Sequence, residues 1–277
     1  MNKNYTNPNT LFYRYAILIA FFLLNFFTAN CQQRLKDSLA SLIKNTPENK
    51  EKIEIYLDYG KSLAGSNPDS AEIFYEKAKE LAERLNDLKG MSKYLSYQIN
   101  LFNQKAQFEE GLTAAQKDVA IAQQSKDPKI LIEAYNDVAN EYEYLADYQQ
   151  ASENYIKSLK LATDAGNLEM QSKIDDNLAS VFLWLKDDSL AYNYSTKAFV
   201  IAQQRHDTVT MGNCLLNTGV AEVHQKKYND ALANHNTGHP YYIQLLEMQA
   251  VIIDRMMMVS GQVEAANGFA AALLTIQ

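Results

Sequence analysis

The sequence predicts an all-α protein of repeated helix pairs, and three observations carry that prediction. Short runs return at a fixed interval: Leu81-Ala82, Ile121-Ala122, Leu161-Ala162 and Ile201-Ala202 each open a similar segment, and their starts are evenly spaced. A small residue keeps the same interval, at Ala71, Gly111, Ala151, Ala191 and Ala231. Gly (10) and Pro (5) are sparse in the 277 residues, together about 5% and roughly half the usual share. That composition excludes collagen-like and low-complexity chains and argues against a turn-rich β-sandwich or barrel. Two cysteines exclude a disulfide framework.

Residues 1–31 differ from the rest. Lys3 and Arg14 give a positive start, and an apolar run from Tyr15 to Phe27 follows, broken only by Asn25. That run is too short for the ~20 residues that a spanning helix needs. Small residues Thr28 and Ala29 then lead to Asn30-Cys31, the pattern of a secretory signal peptide. Three processing routes stay open. Ala29-Asn30-Cys31 can be cleaved before Gln32. Cys31 can be the lipid-bearing first residue of a lipoprotein, although Asn30 stands where that motif wants Gly, Ala or Ser. The segment can also stay as a membrane anchor. The expected location is therefore exported, in the periplasm or cell envelope or secreted. Removing 1–31 takes away two of the 26 basic residues and none of the 33 acidic ones. The acidic body that remains argues against nucleic-acid partners.

A capping helix and linker are expected over 32–51, since Leu35, Leu39, Leu42 and Ile43 share one helical face. Such a helix covers the open end of a stack. Repeat units then begin near 52, 92, 132, 172 and 212 and fill 52–240. Unit three is the clearest. Asp127-Pro128 reads as an N-cap with Pro at the first helical position. Ile130, Leu131, Ala134, Tyr135, Val138, Ala139, Tyr142 and Leu145 follow at helical spacing. After a turn at Ala146-Asp147, a second helix carries Tyr148, Ala151, Tyr155, Ser158, Leu159, Leu161 and Ala162 and stops at Gly166-Asn167. Thr46-Pro47 and Asn67-Pro68 read as the openings of the two helices of unit one. The small residues have a physical role: helices crossing at about 8–10 Å leave no room for bulk at the closest point. Ala139, Ala151 and Ser158 take that role in unit three, and Ala179, Ala191 and Ala198 in unit four.

The pattern breaks near the C-terminus. His235 replaces the expected aromatic, and Pro240 would interrupt the helix at a cost of about 3 kcal/mol. The segment 241–277 is atypical and apolar; from Ala250 onward only Asp254, Arg255 and Glu264 are charged. It reads as a buried final helix pair, as a surface meeting another domain or chain, or as an altered reading frame.

Chemistry-bearing motifs are sparse. Gly60-Lys61-Ser62 imitates the end of a phosphate loop, but Ile55 stands where the first Gly belongs and no strand precedes it. His235 and His239 lie four apart without a carboxylate or Cys at matching spacing, so no metal site is assigned. Cys214 reads as a small buried hydrophobe. Most of the tyrosines read as core packing. No catalytic residue and no cofactor is expected.

The spacing resembles the tetratricopeptide repeat in its 40-residue variant. That family places a large apolar residue at position 7, a small one at 8, aromatics at 11 and 24, and Ala at 20 and 27. Unit three supplies Val138, Ala139, Tyr142, Ala151, Tyr155 and Ser158; unit four supplies Leu178, Ala179, Phe182, Ala191, Ser195 and Ala198. The resemblance implies a right-handed superhelical solenoid of antiparallel helix pairs, about five units, with a concave groove that holds a peptide or protein partner. Carried over position by position, it places Lys93, Ser96, Asn100 and Asn103 in that groove, then Glu133, Asn136, Asn140 and Glu143, then Lys173, Asp176, Ser180 and Leu183 with Trp184 beside it. Asn side chains both donate and accept, which suits a bound backbone. The same residues can equally form a solvated polar face. The resemblance implies a non-catalytic interaction scaffold. An export signal joined to such repeats is also similar to the extracytoplasmic sensor portion of bacterial signalling proteins, including histidine kinases and transcriptional regulators, cut short here. A membrane contact is expected only through an N-terminal lipid or an uncleaved anchor.

Overall fold

One turn, used again and again, sets the length of the helices. The structure is a computed structural model and describes residue 34 and residues 36–225. The stretch 36–45 is helical. The helices that follow among the described residues are α1 (Lys50–Ala64), α2 (Pro68–Leu85), α3 (Leu88–Gln104), α4 (Phe108–Ser125), α5 (Pro128–Tyr144), α6 (Tyr148–Asp164), α7 (Leu168–Trp184), α8 (Asp188–Gln204) and α9 (Thr208–His224). No described residue is in a strand. No helix among them is long and apolar enough to cross a membrane. The fold class is all-α, as the composition and spacing predict.

The backbone repeats twice as often as the sequence does. Positive φ occurs at Asn86, Ala106, Lys126, Ala146, Gly166, Lys186 and His206, an even spacing at half the interval of the sequence repeat. The next residue along does two jobs. The Asp147 amide donates to the Tyr142 carbonyl, five positions back, at 2.9 Å and closes α5. The Asp147 carboxylate accepts from the Gln150 amide at 3.1 Å and opens α6. Asn167 closes α6 on Ala162 at 2.8 Å and accepts from Met170 at 3.2 Å. Asp187 and Asp207 repeat the arrangement. A left-handed residue followed by a backbone donor that reaches back five positions ends a helix tightly, and an Asp or Asn in the second place starts another. The chain therefore reverses within a single short turn, and the two helices of each repeat pack as an antiparallel hairpin.

At the start of unit one the sequence reading needs correction. Thr46-Pro47 does not open α1. Asn49 does, its side-chain oxygen accepting from the Lys52 amide at 3.1 Å. The Thr46 amide instead bonds the Leu42 carbonyl at 2.8 Å and still belongs to the preceding helical turn. Asn67-Pro68 opens α2 as read, with the Asn67 side chain accepting from Ser70.

The chain forms two compact units, one through Ser125 and one from Lys126. In the first, Tyr75 packs beneath Gly60 and stacks on Tyr97 with ring centroids 5.4 Å apart. In the second, Ile132, Ala139, Ala151, Tyr155, Ala162, Ile174, Leu178 and Val181 make a continuous buried core. The alanines of the repeat columns are fully buried there, including Ala179, Ala191 and Ala198, as close helix approach demands. Ser158 is also fully buried, and its hydroxyl donates to the Ile132 carbonyl at 2.7 Å. That bond offsets the cost of a polar group in the core. Cys214 is fully buried as well.

Candidate functional site

In the second unit α5 and α7 run side by side, with α6 packed against both. Asn136, Asn140 and Glu143 lie at i, i+4 and i+7 on α5, so they share a face. Asn177, Ser180 and Trp184 lie at i, i+3 and i+7 on α7. Between these faces is a cleft of about 450 Å³, within the range of small ligand sites. Asn140 and Glu143 line one wall, and Asn177 and Trp184 the other; Tyr148 and Tyr155 from α6 complete it, with Tyr144 at the rim.

The floor is a hydrogen-bonded cluster. Tyr155 is fully buried. Its hydroxyl lies 2.6 Å from the Asn140 side-chain oxygen and 2.9 Å from Glu143 Oε2. A phenol carries one proton, so one hydroxyl serves two acceptors. Burial raises the Glu143 carboxyl above its ordinary value, opposed by hydrogen bonds from the Tyr155 and Ser180 hydroxyls. Burial and the nearby Glu143 push the Tyr155 phenol far above its ordinary value. Tyr155 is thus a neutral donor at any ordinary pH. The Asn136 side-chain oxygen, one turn before Asn140, is buried and has no hydrogen-bond partner.

The mouth is aromatic. Trp184 is 64% exposed, an unusual position for so large a side chain. Its ring stacks on Tyr148 with centroids 5.5 Å apart and planes within 2°. Tyr144 is exposed beside it. Trp184 is the single tryptophan of the chain.

The residues carried over from the repeat pattern separate into several environments. Asn140, Glu143 and Trp184 line the cleft, and Ser180 bonds Glu143. Glu133 and Lys173 are exposed, and Lys173 pairs with Glu169 at 2.7 Å. Asp176 is buried and turned toward α9, outside the cleft between α5 and α7. It accepts from the Asn217 amide at 3.0 Å and lies 3.6 Å from Cys214 Sγ. Burial raises its carboxyl to about 6, opposed by bonds from Asn213, Cys214 and Asn217. Burial and Asp176 in turn push the Cys214 thiol up, which fits a buried structural cysteine. In the first unit, Lys93, Ser96, Asn100 and Asn103 lie along α3. Lys93 reaches Glu54 of α1 at 2.6 Å, and the Asn100 amide turns back onto the Ser96 carbonyl at 2.8 Å. Cys31 and the histidine pair at His235 and His239 lie outside the described residues.

Sequence reasoning missed Tyr148, Tyr155 and Asn177. The two tyrosines occupy packing columns of the repeat, and their rings do pack. Tyr155 meets the polar floor through its hydroxyl, and Tyr148 stacks on Trp184 at the mouth. Asn177 is one residue past Asp176 and so lies about 100° further round α7, on the side that lines the cleft. Among the described residues no three His, Cys, Asp or Glu side chains converge as a metal site.

No protein-family model matches the sequence, and no curated protein matches it either. Solved structures do. BtubC from P. vanneervenii superposes with a TM-score of 0.68 at 14% identity, covering 78% of this chain and 90% of that one. A signal-transduction ATPase with numerous domains and a tetratricopeptide repeat sensor, from Pyrococcus horikoshii, superposes at 0.66 and 18% identity over 89% of this chain. The fold is tetratricopeptide-like. The chain spans 41% of the length of that ATPase. A P. anserina protein of nearly identical tetratricopeptide-like repeats superposes at 0.57 and 10% identity, over 72% of this chain and 99% of that one. In this tetratricopeptide-like frame α5 and α7 are the first helices of adjacent repeats, and the cleft lies between them.

Proposed function

We propose that the chain is an exported, non-catalytic interaction scaffold that holds an extended segment of a partner protein in the cleft between α5 and α7. The observation that carries this is the pairing of an exposed, stacked Trp184–Tyr148 platform with a floor of amide and carboxylate groups. A platform of this kind takes a side chain by stacking. Asn140 and Asn177 can donate to and accept from a peptide backbone. The tetratricopeptide-like neighbours support the same reading, since they include a repeat described as a sensor. Export rests on the N-terminal pattern, with Lys3 and Arg14 before an apolar run. N-terminal sequencing with cell fractionation tests it: a start at Gln32, a lipid-blocked Cys31, or an intact Met1 in the membrane fraction supports export, and an intact Met1 in the cytosolic fraction opposes it.

The sole tryptophan makes the binding test direct. Peptides selected from a random display library on the full chain are titrated while Trp184 emission is followed. Binding in the cleft shifts the emission, and Asn140→Ala with Asn177→Ala weakens binding about tenfold or more, the loss of one to two hydrogen bonds. Peptides that bind without moving Trp184 emission, and equally well to that variant, would place the partner elsewhere.

A further inference from the structure

We infer that the cleft between α5 and α7 selects an arginine side chain of its partner, with the guanidinium stacked at Trp184 and hydrogen-bonded to Glu143. This rests on the proposed scaffold function and names the chemistry that the cleft reads.

The floor shares one buried donor between two acceptors. Tyr155 offers one hydroxyl proton to both, Asn140 Oδ1 at 2.6 Å and Glu143 Oε2 at 2.9 Å. A carboxylate has about four lone-pair sites. The Tyr155 and Ser180 hydroxyls reach Glu143, so further sites remain. Glu143 therefore keeps acceptor capacity for a donor brought by a partner. A guanidinium supplies five N–H groups in a planar fork and has no acceptor of its own. An ammonium would supply three donors but no plane.

The mouth matches the same group. A planar cation prefers the face of tryptophan to any other side chain, and arginine uses that contact more often than lysine. The Trp184 indole is 64% exposed with Tyr148 parallel to it, so one partner ring is already in place. The platform and the carboxylate line the same cleft of about 450 Å³, large enough for a side chain entering from one end. Electrostatics agree. Glu143 and Asp137 both act on Tyr155 as negative charges, so the floor carries a negative potential. Partial burial strengthens that field over the same charge in water.

The test uses the full chain and three acetylated, amidated pentapeptides, Gly-Gly-X-Gly-Gly, in which X is arginine, citrulline or lysine. Citrulline keeps the plane and most of the shape and loses the charge. Trp184 emission reads occupancy. Arginine is expected to saturate the signal at an affinity about tenfold above citrulline, the scale of one charge-assisted contact, with lysine between or below. Glu143→Gln is expected to bring arginine down to the citrulline level while the far-ultraviolet dichroism stays native. A Glu143→Asp variant should recover part of the preference. Equal affinities for arginine and citrulline, or an arginine preference that survives Glu143→Gln, would overturn the inference. The outcome is separable from the scaffold reading. If display selection yields peptides that move Trp184 emission yet carry no arginine, the scaffold stands and the arginine preference fails. If no peptide of either kind moves it, both fail.

Discussion

Gly166→Ala isolates the cost of the turn that shapes this fold. Gly166 has φ +63, and a Cβ built on it meets no atom within 4 Å. The substitution therefore adds no clash, only backbone strain. An L-residue in the left-handed region costs about 1–2 kcal/mol. Against that, alanine loses less freedom on folding than glycine, by about 0.5–1 kcal/mol. The net expectation is a loss of about 1 kcal/mol. Ala146 supplies the reverse experiment. It occupies the equivalent turn at φ +58, is exposed, and already bears the strain. Ala146→Gly should stabilise by a similar amount. Urea unfolding followed by far-ultraviolet dichroism reads both: midpoints should move by about 0.3–0.5 M in opposite directions with the slope unchanged. Thermal midpoints should move by about 2–4 °C. If both variants shift the same way, or Gly166→Ala matches the parent, the left-handed turn is not where the strain lies.

Other expectations concern packing, protons and the cleft. Gly60→Ala would drive a Cβ into the Tyr75 ring, which is itself buried and stacked on Tyr97, and should cost about 1–3 kcal/mol in denaturant melts. Asp175 is buried, with one oxygen unpartnered, and burial raises its carboxyl from 3.8 to about 7 against the pull of Lys197. The native state thus holds a proton that the unfolded chain has released, so this group's contribution is full below about pH 4 and is lost as pH rises through about 7. Asp175→Asn should accordingly gain stability relative to the parent as pH rises from about 4 to about 7, with a ceiling of about 4 kcal/mol; a constant difference across that range would refute the assignment. Tyr155→Phe removes the one donor shared by Asn140 and Glu143 and should cost about 1–2 kcal/mol, with a change in Trp184 emission if the cleft relaxes.

Legibility followed the range of the interaction. The long repeat interval, the helical faces and most caps were readable because each depends on residues within a turn or two of one another. Asn67-Pro68 and Asp127-Pro128 are such local signals, and both open helices. Thr46-Pro47 looked the same and was not, because Asn49 offered a better cap shortly after it. The shorter backbone interval was hidden because the left-handed position carries Asn, Ala, Lys, Gly or His. Conformation there is imposed by the bonds on either side, and residue type hardly marks it.

The candidate site was legible by element but not by side chain. The repeat resemblance assigned Asn140 and Glu143 to one first helix and Trp184 to the next, and the structure brings these three side chains to one cleft. Periodicity cannot say how far α7 turns about its axis once α9 packs against it. In the packed structure Asp176 is buried against Asn217 and Cys214, and Asn177 lines the cleft. Nor can it say that the hydroxyl of a core tyrosine reaches through to two acceptors. The sequence by itself determined an all-α chain of repeated hairpins and which polar side chains share a helical face, because those follow from contacts within one helix and its own turns. Only the tertiary structure decided which of those groups meet, because a hydrogen bond between helices depends on small displacements set by the packing of every neighbour at once.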